Sequence, residues 1–388
     1  MAIAYDLDGL ITQVGDMSLA RDAVSGGINR IFVNAAVTTY QYSPHGELDS
    51  AATIVGGSPI YALKTQRDSV GRVVWKREIL LGAERVLTFS YDSSSRLAGV
   101  TTNGTPTSSY DYDIGGNVMR VTTSAGTVAA TYDQRDRVQR FGDVTFAYSR
   151  NGERRLRVSP IDTTEYGFDA LGDLASVRRS GGSLVTYDAD AAGRRVRRKV
   201  NGVTTNRWLY NAGQSPIAEV DSAGTVITRF VYGERGEVPE FMVQGGRNFR
   251  FILDGLGSVR AVVDAMTGVA AQVIDYDAYG RITNNSNPGL QPFAYAGCLY
   301  DAITALCRFG AREYDAETQS WLSGDPALVD GGDVNAFAYA HGDPINRVDP
   351  SGLADDNLPA LTAATDIQAG LLTLVTGHYA GINAKAYA

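Results

Sequence analysis

Apolar and polar residues alternate in short runs along most of this chain. Val86-Leu-Thr-Phe-Ser-Tyr91 and Leu97-Ala-Gly-Val-Thr-Thr102 are typical, and between them stands Asp92-Ser-Ser-Ser-Arg96. A period of two over six residues predicts strands, and the polar break predicts the turn that joins them. The turn recurs as Asp68-Ser-Val-Gly71-Arg72, Asp113-Ile-Gly-Gly116-Asn117, Asp133-Gln-Arg-Asp136-Arg137, Asp169-Ala-Leu-Gly172-Asp173, Asp190-Ala-Ala-Gly193-Arg194, Asp254-Gly-Leu-Gly257-Ser258 and Asp277-Ala-Tyr-Gly280-Arg281. Asp leads each unit because its carboxylate bonds the turn's own amides. Gly usually holds fourth place because the backbone there turns left-handed. A repeat of 20 to 24 residues between these fourth places corresponds to one hairpin per unit.

One hairpin buries too little to stand alone, so the units must pair edge to edge into a continuous sheet. The expected fold is all-β, a hairpin ribbon wound into a partial hollow shell. Tyr91, Tyr112, Tyr132, Tyr187 and Tyr276 precede the turns and are read as cross-strand packing; a row of sugar-stacking aromatics is the alternative.

Composition narrows the function. With 43 Gly and 21 Tyr but 12 Pro, the chain is rich in turns and aromatic strands, unlike collagen or a disordered segment. A formal net charge of −8 without a long basic run argues against nucleic acid as a partner. Cys298 and Cys307 are the only cysteines. They exclude a disulfide framework and a four-thiolate zinc site, and are expected as reduced, packed thiols. His45, His341 and His378 lie in no nucleophile or metal motif, and no Walker-type loop is present, so no cofactor or metal is expected. The opening residues carry no Sec-type signal; export is expected to use another route, and Met1 is read as the start of a fragment of a longer array.

The repeat resembles the YD repeats of the Rhs family, shared with the B and C components of insecticidal Tc toxins, wall-associated proteins and the extracellular region of teneurins. It covers roughly residues 1 to 353, with repeats in 1–292 and a repeat-associated core in 293–353. Leu299-Tyr-Asp-Ala-Ile-Thr-Ala-Leu306 and Arg312-Glu-Tyr-Asp-Ala-Glu-Thr-Gln-Ser-Trp-Leu-Ser-Gly-Asp325-Pro326 are similar to the family's doubled Y-D-x-E-T-G motif and its run to D-P. Ala305 and Gln319 stand where that motif has Gly, and Leu328 where a Gly follows the D-P. Asn335-Ala-Phe-Ala-Tyr-Ala-His-Gly-Asp-Pro344 and Ile345-Asn-Arg-Val-Asp-Pro-Ser-Gly-Leu353 are similar to the family's ending.

Taken alone, Asp325, Asp343 and Asp349 are acids before Pro, which open turns. The resemblance implies more for two of them. Toxin members are cut after the Leu of D-P-x-G-L, which points to Asp325 and Asp349 as a catalytic aspartate pair and to cleavage between Leu353 and Ala354. Arg312, Pro350 and Gly352 would support it, Arg312 as a cation beside the pair or packed over Tyr rings. Two such carboxylates would share a proton, one acting as base on water and the other as acid. Asp343 replaces an Asn of the pattern and is left as a turn residue.

The last 35 residues, Ala354 to Ala388, lack the repeat. Leu361, Ala364, Ile367, Leu371, Leu372 and Val375 recur near helical spacing, and a helix held inside the shell is preferred to a membrane span. Two functions follow. The first is a shell that encloses its own C-terminal toxin segment and releases it by self-cleavage, with the rest of a parent shell and a secretion-system spike or Tc-type component as partners. The second is a carbohydrate-binding or cell-surface adhesion module whose Asp-Pro turns are inert.

Overall fold

The computed structural model describes residues 2–23, 25–233, 236–326 and 334–353, and the backbone of 356–357. From Ile3–Tyr5 to Ile282–Asn285, 28 strands form one antiparallel ribbon. Each strand pairs with its neighbours in sequence, as Ala83–Tyr91 does with Val73–Leu80 before it and Leu97–Thr102 after it. Among the described residues no ladder joins the first strand to the last, so the ribbon is open. The expected C-terminal helix lies outside the described residues.

The repeat follows from three linked contacts. In the turn at Asp92, Oδ1 accepts the amides of Ser94 and Arg96, each at 2.9 Å, and Oδ2 pairs with the Arg96 guanidinium at 2.7 Å. The fourth residue is left-handed in every unit, with φ of 88° at Gly71 and 83° at Gly116, and also where it is not Gly, with 65° at Ser95 and 59° at Asp136. Arg96 lies 4.7 Å over the Tyr112 ring of the next unit, and the Tyr112 hydroxyl donates to the Leu97 carbonyl at 2.8 Å. Tyr91 to Val73, Tyr132 to Val118 and Tyr276 to Val259 repeat that last bond. Tyr91, Tyr112, Tyr132 and Tyr276 therefore each fasten their unit to the exit of the preceding turn, a more specific role than packing, whereas the Tyr187 hydroxyl goes to Asp301. These bonds favour cross-strand packing over a sugar-stacking row.

The ribbon curls until its early and late strands pack face to face. Met17, Val33, Leu63 and Leu80 share a core with Phe241, Ile252 and Val263. Ala35 donates its amide to the Ala265 carbonyl at 3.0 Å, and Arg260 holds Glu78 at 3.0 Å. The concave space is taken up by the terminal core, a four-stranded sheet of Leu299–Asp301, Leu306–Phe309, Arg312–Asp315 and Ser320–Trp321. Successive turns of the ribbon grip it. Val73 donates to the Asn346 side chain, Asn335 to Asn117, Arg308 to Asp173 and Arg198 to Asp301.

The two cysteines depart from expectation. Cys298 and Cys307 are joined as a disulfide, with Cα atoms 5.4 Å apart, and are not separate thiols. The hairpin of Leu299–Asp301 and Leu306–Phe309 brings the two into bridging range. A spacing of nine residues fixes no such proximity until the hairpin's register is known.

Candidate functional site

The site is assembled where three backbone segments meet. Strand Arg312–Asp315 pairs with Ser320–Trp321, whose chain continues to Asp325, and the ending Asp349-Pro-Ser-Gly-Leu353 lies across the turn before Arg312. Ala311 donates its amide to the Ser351 carbonyl at 2.9 Å, and Arg312 Nε donates to the Gly352 carbonyl. This approach is close enough to require glycine. A Cβ on Gly352 would run into the Phe309 carbonyl and lie 2.9 Å from the Arg312 nitrogen, and its φ is 67°.

Arg312 Nη2 lies 2.9 Å from Asp325 Oδ2 and 2.9 Å from Asp349 Oδ2. Although 24 residues apart in sequence, the two carboxylates are thus brought within twice that distance. Both are buried, Asp349 completely. The other oxygen of Asp349, Oδ1, accepts the Leu353 amide and the Ser351 hydroxyl, each at 3.1 Å. Gly352 donates its amide back to the Asp349 carbonyl at 3.3 Å. The Asp-Pro-Ser-Gly turn therefore folds the residue before the expected cut onto Asp349 itself. Arg312 is held as well by the Trp321 ring, 4.0 Å below its guanidinium.

Asp325, Asp349, Arg312, Pro350, Gly352 and Leu353 are all drawn into this one place; Ala354 and Leu328 lie outside the described residues. Asp343 is elsewhere, its two carboxylate oxygens accepting from the Asn346 side-chain nitrogen at 2.8 and 3.0 Å. Burial pushes its carboxyl above the usual range. Between the paired aspartates sits a cation, which offsets their repulsion directly. Sequence reasoning passed over Ser351 and Trp321. The x position of D-P-x-G-L carried no signal for Ser351, whereas the ring four residues before Asp325 could have been matched to Arg312 as a stacking partner.

An open ribbon of stacked Tyr-Asp hairpins gripping a compact terminal core defines a YD-shell protein. The Teneurin YD-shell family model matches residues 1–344, and the chain belongs to that family. It is 31% identical over 333 residues to Teneurin-4 of Mus musculus, covering 83% of this chain and 12% of the relative. It is 29% identical over 255 residues to the tRNA3(Ser)-specific nuclease WapA of Bacillus spizizenii, covering 63% of this chain and 11% of that one. The chain thus spans about an eighth of the length of these curated relatives or less. Among solved structures, the crystal structure of TcdB2-TccC3 matches with a TM-score of 0.73 at 20% identity, over 90% of this chain and 21% of that one. The Photorhabdus luminescens Tc holotoxin pore matches at 0.69 and 19%, over 93% and 21%. At these identities the likeness shows the fold, an antiparallel YD-shell that is not closed among the described residues.

Proposed function

We propose that this chain is part of a shell that encloses the C-terminal segment of its own polypeptide and frees it by one cut between Leu353 and Ala354. In this reading residues 1–292 are the repeat shell, 293–353 the terminal core and 354–388 the start of the enclosed toxin region. Water adds across the Leu353–Ala354 peptide bond. One carboxylate of the Asp325–Asp349 pair takes a proton from the water while the other, protonated, donates to the carbonyl oxygen. The carboxyl that took the water's proton then gives it to the nitrogen as the C–N bond breaks, and a diol hydroxyl returns a proton to the pair, leaving a carboxylate on Leu353 and an amine on Ala354. Arg312 holds the pair and the Gly352 carbonyl in register, and must yield its place between the acids to a proton for the reaction to proceed.

The observation that carries this reading is the convergence on Asp349 of the Arg312 cation, shared with Asp325, and of the amide of Leu353. An inert turn opener needs neither a second buried acid nor a shared arginine. Likeness to WapA and to Tc components supports enclosure and a Tc-type partner, and the disulfide supports export to an oxidising compartment.

Intact mass after purification tests the reading. A fragment of 35 residues, from Ala354 to Ala388, should separate from the remainder, and either Asp325→Asn or Asp349→Asn should leave the chain whole with its fold kept. A parent chain that stays whole, or both variants cut as fast as the parent, would reject the protease and leave the adhesion module as the reading of the ribbon.

A further inference from the structure

Among the ribbon residues that touch the hairpin of the candidate site, Arg195 on Glu313 among them, Arg154 is one that no motif marks and that bonds both arms. Arg154 opens the strand Arg154–Val158, and its side chain is fully buried. Its Nη1 donates to Asp315 Oδ2 at 2.6 Å, and its Nη2 donates to the Thr318 and Ser320 hydroxyls, both at 3.1 Å. Its own amide donates to the Leu322 carbonyl at 2.7 Å. These four acceptors span the hairpin of Arg312–Asp315 and Ser320–Trp321. One arm of that hairpin begins with Arg312, and the other runs on to Asp325. Leu322 in turn donates to the Glu313 carbonyl at 2.9 Å, tying the arms beside the same anchor.

We infer that Arg154 is a positioning residue for the cut, which makes cleavage conditional on the ribbon having wound around its terminal core. This rests on the aspartate-pair reading above. The pair's separation is set by a hairpin whose two arms meet on a side chain more than 150 residues upstream. Until that strand is in place, Asp315 lacks the guanidinium and Leu322 the amide that fix the hairpin. Segments cut before enclosure would escape the shell, and this contact orders the two events.

Full-length chains made by cell-free synthesis and followed by intact mass over time test the inference. Arg154→Met with Asp315→Asn removes both charges together, so neither is left buried alone, and should fold while cutting about 10- to 100-fold more slowly than the parent. Arg154→Lys keeps one bond to Asp315 with a single nitrogen and should fall between them. The deficit should persist at temperatures far below the unfolding midpoint. Recovery of the parent rate on cooling would mean a structural role alone and overturn the inference. A double variant cut at the parent rate, or, where it does not fold, an Arg154→Lys chain cut at that rate, would do the same while Asp325→Asn stays whole and the protease reading stands. A parent that stays whole overturns both.

Discussion

The ribbon and the terminal core are both antiparallel strands joined by tight turns, but different contacts hold them. In the ribbon the leading Asp typically bonds amides two and four residues on, as Asp92 does, the Arg pairs with the Asp four before it, and most of the tyrosines reach the preceding hairpin. In the terminal core three acids are met by partners more than a hundred residues away: Asp301 by Arg198, Glu313 by Arg195 and Asp315 by Arg154. Local contacts make a unit that can be repeated and lengthened. Distant ones make a structure that forms only once the ribbon has curled around it, which would suit the proposed cut if it must not come early.

The sharpest way to break the terminal core without touching its charges is Gly352→Ala. The new methyl meets the Phe309 carbonyl, and the left-handed backbone at φ 67° disfavours any L side chain. Strain and collision together should cost about 4 kcal/mol and abolish the cut. Intact mass reads the loss of the fragment, and thermal unfolding reads the destabilisation. The equivalent change at Gly104, whose Cβ would meet nothing within 4 Å, should leave cutting intact.

Glu78 breaks the ribbon at a region of distant pairing. It is buried among Tyr61, Arg260 and Arg85, whose donors lie 3.0 to 3.1 Å from its oxygens. Burial alone would push its carboxyl up, but Lys76, Arg260 and Arg85 outweigh this and hold it at about 2, below the ordinary 4.5. A carboxylate depressed in the folded state adds stability above the unfolded value and loses it as pH falls through the folded one. This contribution, on the order of 3 kcal/mol, should therefore be complete above pH 4.5 and fade toward pH 2. Denaturant unfolding of Glu78→Gln should show lower stability at neutral pH and a flatter decline between those limits. An unchanged slope would remove Glu78 from the acid lability of the shell.

The same contrast explains what could be read in advance. Hairpins, their turns and the left-handed fourth residue were legible because Asp, Gly and the alternation act within five residues, and even Ser95 and Asp136 obey the position. The aspartate pair was legible only through motif resemblance, since nothing in the spacing of Asp325 and Asp349 brings them together. Arg154 was not legible at all: it looks like any charged residue after a turn, and its partners are chosen by how the ribbon curls. The disulfide was missed for the same reason, because a hairpin's register, not the spacing of its cysteines, decides their distance.

A matched pair of tyrosines sharpens the comparison at equal chemistry. Tyr132 donates to the Val118 carbonyl at 3.0 Å within the ribbon, whereas Tyr187, at the equivalent place, turns inward to Asp301 Oδ2 at 2.6 Å. Bonds to a charged partner are worth about twice those between neutral groups. Tyr187→Phe should thus cost about 2 kcal/mol and Tyr132→Phe about 1, by equilibrium unfolding. Equal losses would mean that Asp301 is satisfied by Arg198 without the hydroxyl.

The smallest effect expected is a gain, and it separates turn strain from contact. Ala305 occupies the left-handed place of the turn between Leu299–Asp301 and Leu306–Phe309, with φ of 59°, and is exposed. In a ribbon turn that place usually carries Gly, and an L residue there is strained by about 1 kcal/mol. Ala305→Gly removes a methyl that packs against little and relieves this strain, at the cost of a more flexible unfolded chain. A net gain of about 0.5 kcal/mol should appear as a slightly raised unfolding midpoint, with the rate of cutting unchanged because the bonds of Arg312, Asp325 and Asp349 described above come from other segments. A lowered midpoint would show that the unfolded-chain entropy outweighs the strain, and a changed rate would show that the cut is sensitive to the disulfide hairpin as well as to the anchor at Arg154.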